Sequence, residues 1–292
     1  MFKGTMTALV TPFKNGLVDT EAFNQFLDFQ IQSGVDAVVP MGTTGECATL
    51  TNEEHIRVIE LVIRRAKGKT KVIAGTGSNC TAEAIAMTQK AQDLGADGAL
   101  LVTPYYNKPS QEGLYQHYMA IAKSVEIPLV LYSVPGRTGV EIGIETMRHL
   151  ARDAKNIVAI KEAGGSVDRC SQLRQVLPES FSILSGDDSL TVPFMSLGAV
   201  GIISVASNVM PVEVKKMVDA AAKGDFALAE NWHRRLYPLF RDLFIETNPV
   251  PTKTTLAAMG RMSEECRLPL SPMMPDNKEK LMTTLKSLNL IS

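Results

Sequence analysis

LGADGALLV, residues 94–102, decides the fold. Leu94 ends a helical stretch, Gly95 is the residue type with which helices commonly stop, and 99–102 is a short apolar run of strand character. A helix that stops on glycine and turns at once into a strand is the joint of a parallel βα unit. The same joint recurs as SGVDAVV at 33–39 and as LGAVGIISV at 197–205. Three rhyming joints predict a parallel sheet made of repeated units.

Working outward, eight β-branched or apolar runs read as strands: 5–10, 37–39, 72–74, 99–102, 129–132, 157–161, 181–184 and 202–205. Helical patterns separate most of them. In 20–33, Phe23, Phe26, Leu27 and Ile31 share one face, and Thr51 with Glu54 forms a capping box that opens the next helix. Eight units suit a closed (β/α)8 TIM barrel better than an open doubly wound sheet, whose ligand loop normally carries GxGxxG or a P-loop. AGTGSN at 74–79 is a single GTG turn and a weak phosphate signal, so no cofactor is expected. Residues 1–224 are read as the catalytic barrel and 225–292 as a C-terminal helical domain. That extension opens with an amphipathic segment, 226–247, carrying Trp232, Leu236, Leu239, Phe240 and Leu243 and interrupted at Pro238.

Composition narrows the function. The 292 residues are 45% hydrophobic, enough to bury a large core, and 30 basic against 31 acidic side chains leave a formal charge of -1. Such a balance offers no footprint for nucleic acid or an anionic membrane, so the expected partner is a small molecule. Cys47, Cys80, Cys170 and Cys266 lie far apart with no CxxC, which predicts neither a disulfide framework nor a zinc site. No signal-like n-region and no apolar run long enough to span a bilayer is visible, so a soluble cytoplasmic protein is expected.

NIVAIKEAGG at 156–165 ends a strand on Lys161. A lysine at such a junction ordinarily snorkels into water. In a barrel, however, active sites gather at the carboxyl ends of the strands. The other strand ends supply GTTGE at 42–46, TPYYNKPS at 103–110 and YSVPGRTG at 132–139, which hold hydroxyls and one arginine but no cluster suited to a metal. A lone lysine among hydroxyls is the equipment of a Schiff-base enzyme, in which a desolvated amine attacks a ketone while hydroxyls pass protons.

Five motifs in order, GTTGE, TPYYNKPSQEGLYQHY, LYSVPGRTG, IKEAGG and LSGDD, cover nearly the whole chain and resemble the dihydrodipicolinate synthase family of pyruvate-dependent class I aldolases. The resemblance implies condensation of pyruvate with L-aspartate 4-semialdehyde on the route to diaminopimelate and lysine. Lys161 then corresponds to the imine-forming nucleophile, and Thr43, Tyr132 and Tyr106 to a proton relay in which Tyr106 comes from a neighbouring subunit. Thr44 corresponds to the binder of the pyruvate carboxylate, Arg137 to the binder of the semialdehyde carboxylate, and Gly186 and Ile203 to backbone positions lining the pocket. Cys47, Ala48, Asn52, His55, Asn79, Glu83 and Tyr105 align with an allosteric L-lysine pocket, Asn52 standing where sensitive members have histidine and Cys47 where they have serine. The implied assembly is a homotetramer, a dimer of dimers. Ser133 departs from the asparagine common in the family's YNVPGRTG motif and bears on the acceptor aldehyde. Two other readings stay open: another 2-oxo-acid aldolase or lyase on the same barrel, similar to N-acetylneuraminate lyase, and a non-enzymatic binding or regulatory barrel.

Overall fold

The computed structural model describes residues 2–292. Eight parallel strands close into a barrel: β1 (Gly4–Ala8), β4 (Ala37–Val39), β5 (Lys71–Gly75), β6 (Gly98–Val102), β7 (Leu129–Ser133), β8 (Ile157–Glu162), β9 (Ser182–Ser185) and β10 (Gly201–Ser204). Each pairs with its neighbour in sequence, and β1 closes the ring against both β10 and β4. A two-stranded hairpin, β2 (Phe13–Lys14) with β3 (Leu17–Val18), sits between the first two barrel strands and escapes a periodicity reading because each arm is two residues long. The expected strands all form, their ends shifted by at most two residues. The joints behave as read: Gly34, Gly95 and Gly198 all take positive φ, +76°, +92° and +97°, where a Cβ would be strained.

Two-residue alternation divides the core. Met6, Ala8, Val39, Val130, Ala159, Leu184 and Ile203 point into the barrel, whereas Ile160, Ile183 and Ile202 face the helical shell. Along β8 the inward positions are therefore Ala159 and Lys161. Register then sets Lys161 beside Tyr132 of β7 on one side and Leu184 of β9 on the other. Pleat and register alone thus put the amine and the phenol in the top layer of the barrel.

Three helices follow the barrel: Phe226–Asp242, Val250–Ala258 and Pro275–Ser287. The first corrects the expected interruption, since it runs through Pro238 and ends at Asp242 rather than at 247. Proline removes one main-chain donor, but the helix stays anchored by the burial of Leu236, Leu239 and Phe240, so packing outweighs the local cost. Beyond it, the chain turns at Asn248 into the barrel mouth, and that turn completes the site.

Candidate active site

At the carboxyl ends of the strands lies a cavity of about 70 Å³ lined by Thr43, Thr44, Tyr132, Arg137, Lys161 and Asp187 among others. Lys161 is 5% exposed. Burial pulls its amine down from the ordinary 10.5 to about 8; the carboxylates of Asp187 and Asp188 oppose that fall and the Arg137 cation adds to it. The Nζ atom stands 4.2 Å from the centroid of the Tyr132 ring. Burial pushes the Tyr132 phenol up to about 12, with the Arg137 cation and the neighbouring Thr43 side chain working the other way. At neutral pH the pair is a phenol that stays protonated and an amine within reach of its neutral form.

Gly186 keeps the space open. A Cβ there would come within 2.6 Å of the Ala163 Cβ and 3.1 Å of the Lys161 Cε, so any side chain would crowd the lysine. Thr44, buried in the GTTGE turn, accepts a hydrogen bond from Asn248 Nδ2 at 2.9 Å. With its acceptor side occupied, the hydroxyl hydrogen is left for an acceptor in the cavity. The Asn248 carbonyl in turn accepts from Arg137 Nη2 at 3.1 Å. Ile203 packs its side chain within the barrel interior, and Val205, just past the end of that strand, lines the cavity. The Ser133 hydroxyl lies off the cavity and meets the Ile142 N–H at 3.5 Å.

Outside the inner cavity opens a larger one of about 370 Å³, and Thr43 and Arg137 line both. Cys47, Ala48, Asn52, His55, Glu83 and Tyr105 line the outer space. Asn79 does not; its amide donates to the Tyr105 carbonyl at 3.2 Å. Glu83 is already engaged, accepting from Asn52 Nδ2 at 3.1 Å and from the Ser78 hydroxyl, and these bonds hold its carboxyl below the usual range. His55 places Nε2 2.7 Å from the Gly75 carbonyl, and burial lowers its basicity, which favours a neutral ring donating that bond. Tyr106 is 91% exposed at φ +72° and takes no part in either cavity of its own chain.

Three groups that the sequence reading left without roles also shape the site. Asp187 brings a carboxylate to the inner cavity, and burial raises its pKa while Lys161 lowers it. Its only signal was its place in LSGDD. Asn248 gave none, because its partners are up to 204 residues away in sequence. Glu162, next to Lys161, points to the opposite side of β8, where it is fully buried, binds Arg169 Nε at 2.8 Å and accepts from the Gly164 N–H at 2.8 Å. That anchors the loop leaving the lysine.

With this geometry in view, the comparisons give one answer. The model of the dihydrodipicolinate synthetase family matches residues 1–288. A 4-hydroxy-tetrahydrodipicolinate synthase from Aquifex aeolicus (strain VF5) is 53% identical over 290 residues, 99% of either chain. A dihydrodipicolinate synthase from Acinetobacter baumannii, chloride inhibited and complexed with pyruvate, is 45% identical over the whole of both chains with a TM-score of 0.97. A family structure from Cyanidioschyzon merolae with lysine bound is 40% identical, covers 99% of each chain and has the same TM-score, 0.97. The chain belongs to the dihydrodipicolinate synthetase family.

Proposed function

We propose that the chain is a 4-hydroxy-tetrahydrodipicolinate synthase, a lyase that condenses pyruvate with L-aspartate 4-semialdehyde through an imine on Lys161. The observation that carries this reading is the buried amine of Lys161 at the mouth of the barrel, 4.2 Å from the Tyr132 ring. A titration point near 8 leaves about 10% of the amine neutral at pH 7, against about 0.03% for an ordinary lysine. The neutral amine attacks C2 of pyruvate, water leaves, and the iminium draws electrons from the methyl group so that a proton departs and an enamine forms. The enamine carbon then attacks the aldehyde of the acceptor. Tyr132 and Thr43, which line the same cavity, are the groups that carry protons to and from these centres. Thr44, oriented by Asn248, holds the pyruvate carboxylate, and Arg137 at the opening holds that of the semialdehyde.

Two finer readings go with it. The exposed Tyr106 joins the relay of a second copy of the chain, so the active form is at least a dimer and, by family likeness, a homotetramer. The outer cavity takes L-lysine as an inhibitor, its ammonium groups facing Glu83 and its neighbours; a lysine-bound relative supports this. Among the described residues no helix is long and apolar enough to cross a membrane, in keeping with a cytoplasmic place of action. Turnover with pyruvate plus L-aspartate 4-semialdehyde, run beside pyruvate plus N-acetylmannosamine, tests the assignment. Product with the first pair only supports the synthase; product with the second pair instead would make the chain a sugar-acid lyase, and none with either would overturn the proposal.

A further inference from the structure

Glu46 closes the GTTGE turn and has no part in the chemistry above, yet both oxygens of its fully buried carboxylate are held. Oε1 accepts from the Lys253 ammonium at 2.6 Å and Oε2 from the Arg267 main-chain N–H at 3.0 Å. The Lys253 side chain is itself fully buried, donates to the Thr11 carbonyl at 2.9 Å and lies 4.3 Å from the Phe13 ring centroid. Thr11 answers through its hydroxyl, which donates to the Gly45 carbonyl at 2.7 Å. The acid thus belongs to the turn that carries Thr43 and Thr44, and its cation to the C-terminal helix Val250–Ala258.

The main chain of Glu46 transmits that hold. Its N–H donates to the Thr43 carbonyl at 3.0 Å, and the residue sits at φ +56°, ψ +34°, a conformation that a non-glycine residue adopts only when its surroundings enforce it. Asn248, shortly before the same helix, binds the Thr44 hydroxyl. The turn is therefore strapped to the C-terminal segment at two points, one through Thr44 and one through Glu46.

Burying an ion pair is a poor way to gain stability, because desolvation offsets the attraction and apolar replacements of similar volume are often no less stable. What the pair does supply is one enforced geometry in a medium of low polarity. We propose that the Glu46–Lys253 pair is a positioning device for catalysis: it holds Thr43 and Thr44 against Lys161 and Tyr132, so that the C-terminal helices are part of the active site. This rests on the reading that these threonines serve pyruvate and its protons.

The test compares wild type with Glu46→Gln, Lys253→Met and the double variant, which has no unpaired buried charge. Each is assayed well below its melting temperature for turnover, for KM toward pyruvate and for borohydride-trapped pyruvate adduct. Displacement of a reacting group by about 1 Å costs on the order of 100-fold, so losses of about 10-fold or more in kcat, with a raised pyruvate KM, are expected in the folded variants. The double variant is decisive: it should melt near wild type and still show that loss. A double variant with wild-type kcat and KM would overturn the proposal and leave the pair as packing only. A wild type that traps no pyruvate at all would refute instead the Lys161 reading on which the proposal stands.

Discussion

Replacing Lys161 with methionine should make the protein more stable and inactive. The side chain keeps nearly the same length, so little packing is lost. What is removed is an amine whose proton the fold binds weakly: unfolded, Lys161 titrates near its ordinary 10.5, and folded near 8. The unfolded state therefore holds more protons on this group between these values, and the destabilisation due to Lys161 is full below pH 8 and fades as pH rises from about 8 toward 10.5. At about 1.4 kcal/mol per tenfold difference in proton affinity, the cost is about 3 kcal/mol at pH 7 and falls to about 1.5 kcal/mol at pH 9.5. Asp187 takes back part of the gain, because without the lysine its buried carboxylate loses a compensating charge. The net advantage of Lys161→Met at pH 7 is thus expected at about 1–3 kcal/mol, or several degrees in melting temperature for a chain of this size. Thermal and denaturant melts of both proteins at pH 7 and pH 9.5 measure it. A variant less stable than wild type at pH 7, or a gap that does not narrow with pH, would show that the amine is not desolvated and would remove the basis for its nucleophilicity.

Further outcomes follow from the same geometry. Arg137→Ala should raise KM for the semialdehyde about 10- to 100-fold, the worth of a charged hydrogen bond, and weaken the borohydride-trapped pyruvate adduct far less; equal semialdehyde kinetics would place Arg137 outside recognition. Tyr106→Phe should lower kcat, and sedimentation of the wild type at assay concentration should show a dimer or larger; a fully active monomer would exclude a borrowed phenol. Initial rates should fall only partly in millimolar L-lysine, and Glu83→Ala should abolish the effect; an unresponsive wild type would leave the outer cavity without that ligand.

Much of the fold is legible in the sequence, for physical reasons that also mark the boundary of what is not. Barrel strands are covered on both faces, so they appear as apolar runs, and the helices before β4, β6 and β10 stop on glycines whose conformation almost demands that residue. Position at the ends of those runs marks Lys161 and the loops that carry Tyr132, Thr43, Thr44 and Arg137, while the individual roles come from the motif resemblance; pleat and register bring all five into one cavity. What stayed hidden is long-range. Lys253 and Glu46 are 207 residues apart and Asn248 and Thr44 are 204 apart, and neither contact leaves a periodic trace near either partner. Pro238 misled because its local penalty is visible in the sequence, while the burial that outweighs it is not. Asn79, which the resemblance aligns with an L-lysine pocket, donates its amide to the Tyr105 carbonyl, a contact with no trace in the sequence.

If Lys161 forms the imine, borohydride reduction in the presence of pyruvate fixes the substrate on that residue. Intact mass should rise by one 1-carboxyethyl group per chain, and peptide mapping should place that mass on the peptide containing Lys161, with none in Lys161→Met. Label on any other lysine, or a wild-type protein that gains no mass while it still turns over both substrates, would exclude Lys161 as the imine-forming residue.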